Sequence, residues 1–527
     1  MTLPTLPQLT ALARAGAAGR AWALFVDAGY DQRGADPAAL AVKGRLLKGR
    51  ARLADGDERR SLLSEAAAAY QAANQLAPAP YLAINAASLR LLAGDAEGAR
   101  SGAAGVLTLL GDPASAIDTP YFLAATRAEA QLLLGNQAQA EAAMADAAHA
   151  DPDGWADRAA TTAQLREIAA AQGRDAAWID RFTPPASLHF AGHMGIAAGG
   201  TSERQLQAAL AAHFASHPVG FAWGALAAGA DVIIAEALVA AGAELHVVLP
   251  CPAAQFEAQS VRPAGAGWSE RFTALMAKAA SVRTAADTAT SVHDPLATAH
   301  AGDLAIGGAL SNAARFAARA EQLIVFDEAG GGSNTARQAE RWKAASGLQT
   351  ILTIPRDAAV DAMFAPEQHD PARQLAVYLC AAHEDLAQGF VPAGDRLETI
   401  AAAVAQACSD LPRGSVRAGP NGWEITALDV DAALSAAQRL TAVDGMAVGA
   451  HLAIGPLIAD PASGALVPFG PAPALARRLA ALAHSGTALA SDALAVTLCA
   501  RGASDCHSEL YYPREDELGG PVHLLTS

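Results

Sequence analysis

A proline pair, Pro184-Pro185, divides the chain into two regions with different sequence patterns. No helix continues through two consecutive prolines, because proline lacks the amide hydrogen and its ring clashes with the preceding turn. Before this break, residues 1–180 contain no convincing strand and are rich in alanine, leucine and glutamine, which is typical of packed helices. After it, short apolar runs alternate with stretches of helical length. The chain must therefore fold into at least two structurally different parts.

Length and charge restrict the possible classes of function. A chain of 527 residues predicts about three domains, and a hydrophobic fraction of 52% allows each domain to bury a core. The net charge of -16 argues against sequence-independent binding of nucleic acid, which needs clustered cations. Only four lysines occur, so no polybasic patch for a membrane surface exists.

The chain also lacks the signals that would direct it to or through a membrane. No run of about 20 strongly apolar residues is present. The start of the chain has no cationic segment followed by an apolar core and a cleavage site. The five cysteines are scattered and form no CxxC pair, which favours reduced, buried thiols. We therefore expect a cytoplasmic protein.

A pattern of helix pairs recurs in residues 1–180. One copy leads from Glu65 to a turn at Gly94-Asp95, and another leads from Thr126 to a turn at Gly135-Asn136. Small residues at helix crossings and these turns resemble tetratricopeptide repeats. This resemblance implies a concave groove that binds a protein partner. A plain helical bundle that serves as a packing platform is the alternative.

The pattern from about 187 to 356 predicts an open α/β domain with a Rossmann-like parallel sheet. Continuous apolar runs separated by helical lengths indicate a parallel sheet that is covered on both faces. A ligand of such a domain is expected at the carboxyl ends of the strands. Past Pro355, a proline-containing stretch predicts a linker to the next domain. The predicted strands are 187–190, 231–234 (leading directly into a helix), 244–249, 322–326 and 349–354.

Two glycine-rich segments in this domain are candidates for ligand binding. One ends at Gly229 and Asp231 before a helix, and the other, Gly330–Thr335, opens the helix predicted at 336–345. Backbone amides at a helix N-terminus can bind a phosphate or a phosphorylated nucleoside. The alternative is that the glycines only close tight turns. The candidate residues are Gly229, Asp231, Gly330, Gly331, Gly332, Ser333, Asn334 and Thr335.

The same segments resemble the SLOG superfamily. The resemblance lies in Gly-Ala-Asp231 before a helix, a strand that ends Val-Val-Leu-Pro250, and the late Gly-Gly-x-x-Thr335 turn. Many members of that superfamily are thought to sense nucleotide-derived ligands. Catalytic members carry Gly-Gly-x-Gly-Thr-x-x-Glu, whereas here Asn334 replaces the third glycine and Gln338 replaces the glutamate. The resemblance thus implies ligand binding and argues against phosphoribohydrolase activity.

Residues 373–527 predict an α+β domain with helices at 395–409, 430–441 and 472–484. Within them, Met446–Ser491 resembles the second half of a class III adenylate/guanylate cyclase domain. The shared features are a strand that ends at Gly455-Pro456, a hairpin around Asp460–Gly464, and Phe469-Gly470 before a helix.

The residues that a class III cyclase uses for chemistry are mostly replaced. Such an enzyme needs two carboxylates for two metal ions, an Asn and an Arg for the transition state, and usually a Lys for the base. Leu379 or Cys380 stands at the first metal position, and Asn421 at the second. Ala474 stands at the Asn position, whereas Arg478 is retained; no lysine follows Lys343. The resemblance therefore implies a cyclase scaffold without its catalytic residues.

Histidine and cysteine patterns give no metal site. His213 and His217 lie one turn apart on a predicted helix, but no third ligand is evident, which favours a solvent-facing pair. His189 and His193 flank the end of the first predicted strand and are candidates to line its ligand crevice. Cys499, Cys506 and His507 lack a fourth partner.

These features favour a catalytically inactive, cyclase-derived regulatory protein. Residues 1–180 would bind a protein partner, and 187–356 a nucleotide-like ligand. Residues 373–527 would form a homodimer or pair with an active cyclase. The competing hypotheses are a divergent active cyclase that uses Arg478, a nucleotide glycosidase in the middle domain, and a purely structural adaptor.

Overall fold

The computed structural model describes residues 4–14, 17–112, 118–286, 294–328, 332–345, 347–366, 368–461, 465–502, 518 and 520–525. Within these ranges, no helix is both long enough and apolar enough to cross a membrane. The chain forms two compact units, of which the first consists mainly of residues 1–184 and the second contains nearly all of the remaining residues.

The first unit is helical in all of its described regular structure, as the alanine-rich sequence predicts. Helices that are consecutive in the chain pack against each other, with α3 on α4, α5 on α6 and α7 on α8. The helices are α1 Leu6–Arg14, α2 Ala18–Asp27, α3 Pro37–Ala51, α4 Gly56–Leu76, α5 Pro80–Leu92, α6 Ala96–Leu110, α7 Pro120–Leu133, α8 Gln137–Ala150 and α9 Trp155–Ala171.

Turns and a close helix crossing explain this pairing. Gly94 ends α5 with a φ of 97°, a conformation that favours glycine, and the Asp95 side chain then accepts the Gly98 amide hydrogen at 2.8 Å. Gly135 has the same role between α7 and α8, with a φ of 88°. On α3, a Cβ at Gly44 would lie 2.6 Å from the Tyr70 ring, so only glycine allows this crossing. The predicted turns and small-residue crossing are thus present.

The second unit contains two sheets. The first sheet has the order β4-β3-β2-β1-β5-β6, and every neighbouring pair is parallel. Its elements are β1 Ala186–Gly192, α10 Thr201–Ser216, β2 Val219–Gly224, α11 Ala230–Ala240, β3 Glu244–Leu249, α12 Ala253–Ser260, α13 Ala266–Met276, β4 Ser281–Thr284, α14 Pro295–Phe316, β5 Ala320–Phe326, α15 Ser333–Ala345 and β6 Gln349–Thr353.

One strand prediction in this region is wrong and two strands were missed. Asp231–Ile234, predicted as a strand, lies within α11, whose residues 230–235 are all buried. A continuous apolar run does not distinguish a buried strand from a buried helix turn. The missed strand β2 contains two glycines, and the missed edge strand β4 is mostly polar, so neither resembles an apolar strand in sequence.

The second sheet has the order β13-β12-β10-β7-β9-β8, and β11 pairs with β10. It is mixed, because β10 and β12 are parallel while the other neighbours along this order are antiparallel. Its elements are β7 Arg373–His383, α17 Glu384–Ala387, α18 Gly394–Ala407, β8 Val416–Gly419, β9 Gly422–Ala427, α19 Val430–Thr441, β10 Met446–Ala459, β11 Leu466–Pro468, α20 Ala472–Leu482, β12 Ala488–Ser491, α21 Asp492–Ala500 and β13 Val522–Leu525, and a short helix, α16 Ala358–Asp361, precedes β7.

The two faces of this sheet are covered by different helices. Apolar residues of α18, α19 and α21 form one core with alternate residues of β7, such as Val377 and Leu379. On the other face, α20 covers the intervening residues, such as Tyr378 and Cys380. The three helices predicted in this region are therefore present. The proposed domain boundaries within the second unit stay predictions.

Helix α14 joins the two sheets of the second unit. Leu304 and Ala305 share an apolar cluster with Val496 of α21. At Gly307, a Cβ would overlap the Val496 carbonyl oxygen, so the two helices cross at backbone contact. Arg283 of β4 forms an ion pair with the partly buried Asp492 at the start of α21. The two sheets are therefore packed together by complementary shape and charge.

Candidate ligand-binding site

A cavity of about 360 Å³ lies at the carboxyl ends of β1, β2 and β3. Helix α14, the start of α15 and residues 356–366 complete its wall. The chain forms β1 to β4 on one side of the sheet and then returns to place β5 on the other side of β1. The cavity therefore lies where α/β sheets of this type bind ligands, at the reversal of strand order.

Asp231 lines the cavity and holds two strand ends together. One of its carboxylate oxygens accepts the Gly192 amide hydrogen at 2.8 Å, and the Ala227 amide also donates to the carboxylate. Burial raises the pKa of Asp231 to about 7, although both hydrogen bonds favour the ionised form. The carboxyl group thus changes its protonation state near neutral pH.

Gly229 does not line the cavity, and its role is to allow close packing of the backbone. Its φ is 98°, and a Cβ would lie 2.9 Å from the His193 carbonyl oxygen and 2.8 Å from that of Met194. The same His193 carbonyl accepts the Ala230 amide hydrogen at 3.1 Å. Glycine is required here because α11 begins directly against the segment that follows β1.

The first turn of α15 lines the cavity through Gly332, Ser333, Asn334 and Thr335. The backbone hydrogen bonds of this helix begin with the Ala336 amide, which donates to the Gly332 carbonyl at 3.0 Å. The preceding amides therefore have no intrahelical acceptor, and the helix dipole adds positive potential there. Gly330 and Gly331, predicted to belong to the same site, lie outside the described residues.

A cation on the predicted linker also lines the cavity. The Arg356 guanidinium lies 2.6 Å from Asp327 and 2.6 Å from Asp361. Burial disfavours its charge, but hydrogen bonds and charge interactions with these carboxylates outweigh that effect and raise the pKa of Arg356. Sequence reasoning missed this contribution, because an arginine after a proline in a polar stretch carries no recognisable motif.

The two candidate histidines have different positions. His193 lines the cavity, and burial lowers its pKa, so the ring is neutral. Its Nε2 donates to the Ile354 carbonyl at 3.0 Å, while its buried Nδ1 has no hydrogen-bond partner among the described residues. His189 is fully buried and does not line the cavity. Its Nε2 lies 3.0 Å from Gln338 Oε1.

The corresponding region of the second sheet is built differently. Gly419 and Gly422 face each other across β8 and β9, so Pro420-Asn421 forms a two-residue hairpin. The Asn421 carbonyl accepts the His383 amide hydrogen at 3.1 Å. On β7, Leu379 and Cys380 are buried, and burial raises the pKa of the Cys380 thiol to about 11. Leu379 and Cys380 are thus packed in cores, and Glu424, which lies opposite Cys380 on β9, forms an ion pair with Arg477.

Helix α20 places the retained arginine of the cyclase resemblance at the surface. Arg478 is exposed, and Ala474 one turn earlier is half-buried. The adjacent Arg477 forms an ion pair with Glu424 of β9 at 2.7 Å. Whether Arg478 acts on a ligand stays a prediction.

Histidine, cysteine and carboxylate side chains do not assemble a metal centre in the part of the chain that the structure describes. The rings of His213 and His217 stack with centroids 4.5 Å apart at the end of α10. Cys506 and His507 lie outside the described residues.

Comparison with known proteins identifies the class of the helical region. Residues 8–90 match the family described as Tetratricopeptide Repeats-Sensor, which confirms the predicted repeats in this part of the chain. Among curated proteins, no sequence matches the chain.

Several solved structures are weakly similar. Adenylate cyclases from Trypanosoma brucei in their monomeric state are 14% identical, with a TM-score of 0.22 over 30% of this chain and 90% of theirs. The guanylyl cyclase Cya2 is 13% identical, with a TM-score of 0.21 over 29% of this chain and 92% of its own. A mutant O-GlcNAc transferase of Thermobaculum terrenum is 13% identical, with a TM-score of 0.19 over 59% of this chain and 50% of its own. Similarity this slight carries no argument about function.

Proposed function

We propose that this chain is a catalytically inactive regulatory protein that binds a nucleotide-like ligand in the cavity of its first sheet. The observation that carries this proposal is the convergence of three groups on one cavity. These groups are the backbone amides at the start of α15, which have no intrahelical acceptor, the Arg356 guanidinium and the Asp231 carboxyl. Amides and a cation suit a phosphate, and a carboxyl suits hydroxyl or amino groups.

The size of the cavity favours a small member of this ligand class. Ligand pockets span roughly 300–1,000 Å³. A volume of about 360 Å³ therefore suits a mononucleotide or a sugar phosphate better than a dinucleotide. The buried Phe256 and the half-buried Phe364 add apolar surface on which a base can pack.

The helical repeats would provide contact with a protein partner. Stacked helix pairs are commonly used as protein-binding surfaces, and the matched family is described as a sensor. A ligand-binding cavity and a protein-binding surface on one chain are the two components of a ligand-controlled switch. The second sheet would serve for pairing with a second copy or with an active cyclase.

A thermal-shift screen of the full chain against nucleotides and nucleotide sugars tests the proposal. We expect at least one mononucleotide to raise the melting temperature, because a ligand that binds only the native state stabilises it. Absence of a shift with every compound would contradict ligand binding and favour the structural adaptor. The phosphate-free nucleosides are the matched controls and should give smaller shifts.

A further inference from the structure

A chain of buried amides and one imidazole ends at the cavity wall. Gln349 donates an amide hydrogen to the Ala339 carbonyl at 3.1 Å and another to Oε1 of Gln322. Because that oxygen is an acceptor, the other end of the Gln322 amide must be its NH₂ group. This group lies 2.9 Å from His189 Nδ1 and also donates to the Gln338 backbone carbonyl at 3.2 Å.

This chain of donors assigns the tautomer of His189. An amide NH₂ can only donate, so Nδ1 of His189 must be the acceptor. Burial lowers the pKa of His189 to about 3, so the ring holds a single proton at neutral pH. That proton is therefore on Nε2, which donates to Gln338 Oε1 at 3.0 Å.

The orientation of the Gln338 side chain follows directly. Its amide oxygen accepts the hydrogen bond from His189, so the other end of the amide, which faces away from His189, is the NH₂ group. Gln338 is only 6% exposed, lines the cavity, and has no acceptor for this NH₂ group among the described residues. The side chain also packs closely on α14, where a Cβ at Gly302 would lie 2.9 Å from it. The amide is therefore fixed by hydrogen bonds on one side and by packing on the other.

We propose that Gln338 is a specificity-determining residue that donates a hydrogen bond to an anionic oxygen of the ligand. It lies one turn after Thr335 on α15, so its NH₂ group extends the donor set formed by the amides of the first helical turn. This inference rests on the proposed function and adds the residue that selects an acceptor group. A phosphate and a carboxylate share the required chemistry, and both are tested below.

Calorimetric titration of the full chain with AMP, inorganic phosphate, adenosine and succinate tests this role. In Gln338→Glu the side chain keeps its size, loses both donor hydrogens and gains a negative charge. We expect at least about a tenfold loss of affinity for AMP and for phosphate, and a much smaller change for adenosine. Gln338→Met keeps the length of the side chain and adds no charge, and it should weaken the binding of AMP by a few fold. Gln388→Glu, which adds the same charge at an exposed position, should have no effect.

The outcomes separate this inference from the proposed function. If the wild-type chain binds neither AMP nor phosphate nor succinate, the proposed anion site is wrong and the role of Gln338 fails with it. If the wild-type chain binds them and both Gln338 variants bind equally well, only the role of Gln338 is overturned. Tighter binding of succinate than of phosphate, with the same dependence on Gln338, would support the donor role and assign a carboxylate ligand.

A spectroscopic measurement tests the chain of donors independently of affinity. Nitrogen NMR of ¹⁵N-histidine-labelled protein should show His189 as the neutral tautomer protonated on Nε2. A proton on Nδ1 would overturn the assigned orientation, because Nε2 would then accept from Gln338 and the amide oxygen would face the cavity.

Discussion

The carboxyl edge of the first sheet and the Asn421 hairpin of the second sheet make an informative contrast. At the first edge, side chains and the amides of the first turn of α15 converge on a cavity, and the NH₂ group of Gln338 has no acceptor among the described residues. At the second, Leu379 and Cys380 fill two packed cores, and the Asn421 carbonyl is already bonded to the chain. A ligand pocket needs a few polar groups that converge on a cavity, and the first edge has this arrangement.

The contact between α14 and α21, which joins the two sheets, should cause the largest loss of stability when it is broken. Gly307→Ala places a methyl group on the Val496 carbonyl, so α14 and α21 must separate. We expect a loss of roughly 3 kcal/mol, measured as a lower midpoint of chemical denaturation. Gly267→Ala is the matched control, because this exposed helical glycine has no atom within 4 Å of the added Cβ. It should leave stability unchanged or raise it by up to about 1 kcal/mol.

The next prediction concerns the pH dependence at the first edge. Folding raises the pKa of Asp231 from 3.8 to about 7, so between these values the native state retains a proton that the unfolded state loses. Its contribution to stability must fall as pH rises through this window, by roughly 2.5 kcal/mol between pH 5 and pH 8. Asp231→Asn removes the titration. Melting temperatures of both proteins at pH 5 and pH 8 should therefore show the wild type losing more stability than the variant. An equal loss in both proteins would contradict the raised pKa.

A pair of asparagine substitutions tests the contrast directly. Asn334→Asp places a carboxylate in the first turn of α15, where the proposed site binds an anion, and we expect roughly tenfold weaker binding of AMP in calorimetry. Asn421→Asp makes the same chemical change at the second edge and should leave AMP affinity unchanged. Equal effects of the two variants would mean that charge alone, rather than the cavity, controls binding.

The smallest expected effect concerns cyclase activity. With ATP or GTP and Mn²⁺, we expect no cyclic nucleotide above background from the wild-type chain. Asn421→Asp should not restore it, because the first metal position still lacks a carboxylate. Cyclic product that disappears in Arg478→Ala would contradict the inactive assignment and support the divergent cyclase.

Local patterns predicted much of this architecture. The Gly94-Asp95 and Gly135-Asn136 turns, the helix at 430–441 and the start of α15 were all recognisable, because each depends on a few adjacent residues. The strand assigned to Asp231–Ile234 was wrong, and β2 was missed. Burial of the whole Asp231–Ile234 segment removes the periodicity that distinguishes strands from helices, and the two glycines of β2 make it unlike an apolar strand.

The candidate site was only partly predictable. Asp231 and Ser333–Thr335 follow from glycine-rich segments at helix starts, and these residues do line one cavity. Arg356 comes from a stretch that was predicted to be a linker. The role of Gln338 depends on His189, Gln322 and Gln349, which lie on three different strands. Contacts of this kind have no local sequence signal.

The sequence by itself determined the helical region and the alternation of strands and helices that follows it. These properties depend on residue identity and local spacing, which a chain carries before it folds. Only the tertiary structure decided which of the candidate groups meet and which polar atoms remain without partners. That outcome depends on strand order and on burial, because hydrogen bonds between distant residues form only once the sheet has brought them together.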